Sequence, residues 1–158
     1  GRTDSHTSHP KTQRHSERDR HIHRTRKRSA VSKRNVVDSS AWLEYFADTR
    51  RAKHFEEPLE DSENLIVPVI TIYEVFKKIL REKGESIALQ IVVQMQAGTV
   101  VDLNLSLALE AGQHRLPLAD SIIYATALKY EATLWTQDEH FRGLSGVRYF
   151  AKPRKQSR

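Results

Sequence analysis

Four short apolar runs limit what this chain can fold into: "NVVD", "LIVPVI", "TVVDLN" and "TLWTQD". Each is too short for a helix, and each is rich in β-branched residues, so each reads as a strand, the first of them buried. A last short strand is expected at "VRYF", after "EHF" and a glycine-punctuated loop. Pro68 within "LIVPVI" argues against a long central strand there. Between the runs lie segments of helical character. "SSAWLEYFADT" presents Trp42, Leu43, Tyr45 and Phe46 as a wide apolar face. "TIYEVFKKILREKG" has Thr71 at its start and Gly84 as its stop, and "ESIALQIVVQMQAG" is apolar nearly all round and ends at Gly98. "SLALEAGQHR" and the longer "LPLADSIIYATALKYEA" follow, while "RRAKHFEEPLEDSEN", interrupted by Pro58, predicts a short helix and loop. Strands alternating with helices imply a three-layer α/β/α sandwich around a mainly parallel central sheet.

Charge divides the chain. Residues 1–35 hold 11 Lys and Arg against 3 Asp and Glu, whereas residues 36–158 hold 15 against 17. The net +6 of the whole therefore belongs to a tail, and the domain itself is mildly acidic. With Ile22, Ala30 and Val31 as its aliphatic residues, the tail has too little apolar surface to offset chain entropy. We divide the chain into a disordered basic tail at 1–34, one α/β domain at 35–150 and a short basic C-terminal tail at 151–158. "RTRKR" could serve as a phosphate-binding arm, and His21 and His23 could bind a metal adventitiously. The plainer reading, an expression remnant or overlong gene start, is preferred. The chain has no cysteine, which excludes disulfides and thiolate chemistry and suits a reducing cytoplasm. No apolar run reaches transmembrane length, and the N-terminus lacks the apolar core of a signal peptide.

In such folds function gathers where the carboxyl ends of strands meet helix N-termini. Acids fall at four such seams: Asp38 after "NVV", Glu74 in the first turn after "LIVPVIT", Asp120 at the start of "DSIIYATA", and Asp138 after "TLWT". Each has an ordinary structural explanation. Thr71 with Glu74 fits a capping box, as does Thr136 with Glu139, which puts Asp138 inside that first turn. Asp38 and Asp120 could be N-caps, and any acid in a first turn is favoured by the helix dipole. Jointly these explanations strain, because carboxylates converging on one rim repel unless something positive sits among them. Magnesium prefers oxygen ligands and commonly uses a few carboxylates plus substrate phosphate.

"VVDSSAWLEYF", "TIYEVFKKILREKG", "LPLADSIIYATA" and "ATLWTQDEHF" together resemble the four acidic blocks of PIN-domain nucleases, most closely VapC-like toxins of toxin–antitoxin pairs. The resemblance covers about residues 35–150 with the blocks in order. It implies that Asp38, Glu74, Asp120 and Asp138 form a Mg²⁺ site (Mn²⁺ being possible), with Thr136 as a hydroxyl residue that orients it. Two departures are visible. The basic tail has no counterpart, and "SLALEAGQHRLPLAD" is short, as if one helical turn were missing before Asp120.

The implied activity is hydrolysis of RNA phosphodiester bonds, in which one or two Mg²⁺ ions activate water and stabilise the leaving 3′-oxygen. Asp38 and Asp120 would contact the metal directly. Glu74 would be a second ligand or orient the water, and Asp138 would serve a second metal or bind through water. The implied partners are RNA and a cognate VapB-like antitoxin, with no membrane.

Other residues carry weaker signals. Lys77, Lys78, Arg81 and Lys83 could track an RNA backbone or form a solvated helix face. Arg50, Arg51 and Lys53 could touch substrate or antitoxin or be ordinary surface. Asp102 reads as a strand-end turn residue. The helix with Ile87, Leu89, Ile91, Val92 and Met95 fits either core or a homodimer seam. The alternatives are a catalytically inactive PIN-like module that binds RNA or a partner, and a phosphoacceptor receiver-like domain. The latter wants adjacent acids at the first strand and a lysine late in the sheet, but Ser39 follows Asp38 and "TLWTQD" has no lysine.

Overall fold

The structure is a computed structural model that describes residues 34–155. The expected tail at 1–34 therefore lies outside the described residues except for Arg34, as do positions 156–158.

Five strands form one sheet: β1 (Asn35–Val37), β2 (Leu65–Pro68), β3 (Thr99–Val101), β4 (Thr133–Thr136) and β5 (Val147–Tyr149). Their order is β3-β2-β1-β4-β5, and every pairing is parallel. Six α-helices connect them: α1 (Ser39–Phe46), α2 (Glu56–Glu60), α3 (Val69–Lys83), α4 (Glu85–Met95), α5 (Leu105–Ala111) and α6 (Leu118–Lys129). Short 3₁₀ turns lie at Arg50–His54, Ser62–Asn64 and Glu139–Phe141. No helix among the described residues is long and apolar enough to cross a membrane.

Alternation along the strands produces the layers. Val37, Leu65, Val67 and Trp135 pack with Trp42, Phe55, Val75, Ile79, Ile91 and Met95, contributed by α1, the segment after it, α3 and α4. Val36, Ile66 and Leu134 face the other way, against Ile123, Tyr124 and Ala127 of α6 and against Phe141. Adjacent residues of one strand point to opposite faces, so each central strand is buried on both sides. Leu107 and Ala111 of α5 close a smaller cluster against Ile122 and Ala125 of α6. The expected α/β/α sandwich is the fold.

The start of α3 corrects one expectation. "LIVPVI" does not continue as a strand: β2 ends at Pro68, and Val69 and Ile70 open the helix. Pro68 (φ −61°, ψ 136°) occupies the N-cap position, and its fixed φ and missing N–H suit a strand-to-helix junction. Thr71 is consequently the third helical residue and not a cap, and Glu74 falls in the second turn. The capping box read there does not form.

Gly84 joins α3 to α4 with φ +87°, a backbone conformation that costs glycine little. Gly98 has a different reason to be glycine. A Cβ there would lie 2.9 Å from both the Leu65 carbonyl oxygen and Val67 Cγ2, so this residue lets the chain entering β3 approach β2 closely. Helix α4 is core on one side only. Ala88, Ile91 and Met95 are buried, whereas Ile87, Leu89 and Val93 are exposed.

Candidate metal centre

The strand order places the site. The chain leaves β1 for β2 on one side and later returns to β4 on the other, so the carboxyl end of β1 lies at a topological switch point. Asp38 is the residue at that point. Its N–H donates to the Trp135 carbonyl at 3.0 Å, extending the β1–β4 ladder by one rung. Its own carbonyl accepts from Ala41 and Trp42, so Asp38 holds the N-cap position of α1, but its side chain makes no capping bond.

The Asp38 carboxylate instead points inward, 1 % exposed. Oδ2 accepts from Ser40 Oγ at 2.8 Å and from Thr136 Oγ1 at 3.1 Å. Oδ1 is buried with no hydrogen-bond partner. Burial pushes the carboxyl up to about 6, with help from the charges of Asp120 and Asp138 and against the Ser40 and Thr136 hydrogen bonds. A buried acceptor without a donor is costly.

Thr136 couples this seam to the next. It is the last residue of β4, and its hydroxyl also accepts from the Asp138 N–H at 2.9 Å. Asp138 is itself the N-cap of the 3₁₀ turn Glu139–Phe141, its Oδ1 accepting from the His140 N–H at 3.0 Å. The capping box expected between Thr136 and Glu139 is thus replaced by a Thr136–Asp38 bridge and an Asp138 cap.

Asp120 comes to the same place from α6. That helix begins at Leu118, two residues into the segment read as helical, with Pro117 at its N-cap position. Asp120 sits in its first turn without serving as the cap. The short connection through α5 is sufficient, since Asp120 Oδ2 lies 2.8 Å from His140 Nδ1, which is also 3.1 Å from Asp138 Oδ1. Burial raises the Asp120 pKa, as does Asp138, while the His140 hydrogen bond and charge oppose the shift. Asp120, Asp138 and His140 each offer a ligand atom, and these atoms all lie within 4.8 Å of one another.

Glu74 reaches the rim from α3. It accepts from Ser39 Oγ at 3.0 Å, and burial raises its pKa, with Asp120 and Asp138 adding to the effect. The structure therefore brings together the four seam acids and Thr136. Asp102 is exposed and stands outside this network.

The donor set fits a hard divalent cation. It comprises the Asp120 and Asp138 carboxylates and the His140 imidazole, with the orphaned, buried Asp38 Oδ1 belonging to a carboxylate linked to them through Thr136. A model of the PIN domain family matches residues 36–147.

This chain belongs to the PIN domain family.

Solved structures with the same fold include a toxin–antitoxin complex from Klebsiella pneumoniae. It is 21 % identical, covers 72 % of this chain and 95 % of that one, and has a TM-score of 0.61. VapC20 from Mycobacterium tuberculosis, described as a sarcin–ricin-loop-cleaving toxin, is 14 % identical over 70 % and 95 % of the two chains, with a TM-score of 0.59. DNA-bound VapBC from Salmonella typhimurium is 16 % identical over 75 % and 97 %, with a TM-score of 0.61. No curated protein matches the chain. The sheet order of this PIN domain also differs from the 2-1-3-4-5 order of receiver-like folds.

Local sequence pattern does not signal several residues of the candidate site. His140 touches two of the acids; its position two residues after Asp138 was the available signal. Ser39 and Ser40, within "VVDSSAWLEYF", each donate to a site carboxylate. Arg51, read as either a contact residue or ordinary surface, is half-buried and bonded to Gln137. Lys77, Lys78, Arg81 and Lys83 are exposed on α3, with Lys78 4.0 Å from Glu82, as a solvated helix face would be.

Proposed function

We propose that this PIN domain is a Mg²⁺-dependent endoribonuclease and the toxin component of a VapBC-like pair. The observation that carries the proposal is the buried Asp38 carboxylate with its unpartnered Oδ1, tied through Thr136 to Asp138 and so to the Asp120–His140 group. Such an arrangement is costly by itself and becomes favourable around a cation. Asp38, Asp120 and Asp138 would hold the ion, which could equally be Mn²⁺ given the oxygen-rich set beside an imidazole. When bound, the ion supplies activation of water and neutralisation of charge on the phosphoryl group.

The chain's own side chains set the geometry around that chemistry. Ser40 and Thr136 fix one oxygen of Asp38, leaving the other for the site. Ser39 holds Glu74 at the edge, where it can accept a proton from an attacking water. No side chain is required as a covalent nucleophile.

Partners follow the same reading. The Klebsiella and Salmonella structures are named as toxin–antitoxin or VapBC assemblies, which supports an antitoxin partner here. A cleft of about 730 Å³ between α1, α2, α3 and α4 is floored by Leu43, Phe46, Ile79, Ile87 and Ile91, and suits an amphipathic segment. Exposed Leu89, Val93, Leu105 and Leu109 support a homodimer.

The test is incubation of the protein with RNA in Mg²⁺ or in EDTA. Discrete cleavage products in Mg²⁺, absent in EDTA, are expected. Mn²⁺ or Mg²⁺ binding without cleavage of any RNA supplied would instead leave a partner-binding module.

A further inference from the structure

Gln137 stands between Thr136 and Asp138, with its side chain committed to Arg51 and Glu44. It is 2 % exposed, and both ends of its amide are used. Its Oε1 accepts from Arg51 Nε at 2.5 Å, and its Nε2 donates to Glu44 Oε1 at 3.1 Å. Glu44 lies on α1, the helix that follows Asp38. Arg51 lies in the 3₁₀ turn after α1, and its Nη2 donates to the Phe150 carbonyl at 3.0 Å. The Phe150 N–H in turn donates to the Thr136 carbonyl at 2.9 Å.

These bonds close a loop around Thr136. One branch runs from Arg51 through Gln137, the residue after it. The other runs from Arg51 through Phe150, the residue hydrogen-bonded to its backbone. The Thr136 hydroxyl, held from behind in this way, bridges Asp38 and Asp138. Glu44 anchors the same network to α1 and also accepts from Thr49 Oγ1. Burial acts to raise the Glu44 pKa, but the Thr49 and Gln137 hydrogen bonds and the Arg51 and Lys152 charges outweigh it and hold the carboxyl below its ordinary value.

We infer that Gln137, clamped between Arg51 and Glu44, is a positioning residue that sets the distance between the β1 and β4 acids and thereby the affinity of the site for its cation. The inference rests on the metal-site reading above. Partners one shell out from a ligand commonly change metal affinity by about 10- to 100-fold when removed. A buried amide satisfied at both ends permits little movement, because a shift of either neighbour breaks a charge-assisted bond.

The test is calorimetric titration of Mn²⁺ into the full chain, the Gln137→Leu variant and a Gln137→Glu/Glu44→Gln double variant. Leucine removes both bonds at similar volume. The double variant keeps the pair's net charge and rebuilds the network, with Arg51 donating to the new carboxylate and the new amide donating to it from α1. Gln137→Leu is expected to keep its far-UV circular dichroism and bind Mn²⁺ at least about tenfold more weakly, while the double variant recovers most of the loss. Wild-type affinity in folded Gln137→Leu overturns the inference, even if its melting temperature falls, because that is what a merely structural role gives. Failure of the double variant to recover affinity overturns it as well. If Gln137→Leu does not fold, Arg51→Met, altered at a half-buried residue, decides by the same criterion. Absence of Mn²⁺ binding by the wild-type chain sinks the metal-site reading itself.

Discussion

Thr136 Oγ1 lies 3.1 Å from Asp38 Oδ2 and within 2.9 Å of the Asp138 N–H, so one hydroxyl joins acids 100 residues apart in the chain. Thr136→Val keeps the shape and removes both bonds. The Asp138 N–H then loses its partner and Asp38 keeps only Ser40, so unfolding in EDTA should become easier by about 1–3 kcal/mol. Urea denaturation checks this, and unchanged stability would mean that the bridge contributes nothing.

The Asp38 carboxyl, raised from 3.8 to about 6 by burial and neighbouring acids, makes stability depend on pH. Its protonated form is favoured in the folded state. The contribution is fully present below the unfolded value and is lost as pH rises through about 6. A shift of about two pKa units corresponds to about 3 kcal/mol at neutral pH. Melting curves in EDTA from pH 4 to 8 should show this loss in the wild type and lack it in Asp38→Asn. An identical pH slope in the two proteins would assign the effect to other groups.

His140 reports the charge of the site. Asp138, followed by the Asp120 hydrogen bond, raises its pKa above the ordinary histidine value, so the stabilisation it gives is present at low pH and fades as pH climbs through the raised value. Proton NMR in EDTA should place its titration midpoint above 6.5. Saturating Mg²⁺ should bring the midpoint down, because a cation among the same carboxylates competes with the imidazolium. A midpoint insensitive to Mg²⁺ would separate His140 from the metal centre.

Gly98→Ala tests the close approach of β3 to β2. The added Cβ would meet a backbone oxygen at 2.9 Å, an obstacle that cannot rotate away. Overpacking of this kind costs about 1–3 kcal/mol, read as a lowered melting temperature. An unchanged melting temperature would show that the β2–β3 edge yields readily.

The strands and the seam acids were legible because both follow from local pattern. Apolar runs of three or four residues have few other uses, and an acid directly after one is visible without coordinates. What surrounds the acids was not legible. Val69 and Ile70 look like strand by residue type, and only the junction at Pro68 turns them into helix, moving Thr71 from cap to core. Its hydroxyl is buried without a partner. The Arg51–Gln137 contact spans 86 residues, and no local pattern signals a pairing of that separation. His140 lay in plain view two residues from Asp138, but its second partner, Asp120, is brought to it by tertiary structure alone.

The most direct measurement pairs single-turnover RNA cleavage in Mg²⁺ with melting curves in EDTA on the wild type and Asp120→Asn. Asparagine keeps size and hydrogen-bonding capacity while removing one charge from a crowded cluster, so the variant should melt at or above the wild-type temperature in EDTA. In Mg²⁺ the wild type should gain stability, about 2.7 kcal/mol at a hundred times Kd, and the variant far less. Cleavage by the variant should fall by orders of magnitude, since the catalytic cation loses an anionic ligand. Retained cleavage in Asp120→Asn, with an undiminished Mg²⁺ shift, would contradict the assignment of these acids to a metal-dependent nuclease site.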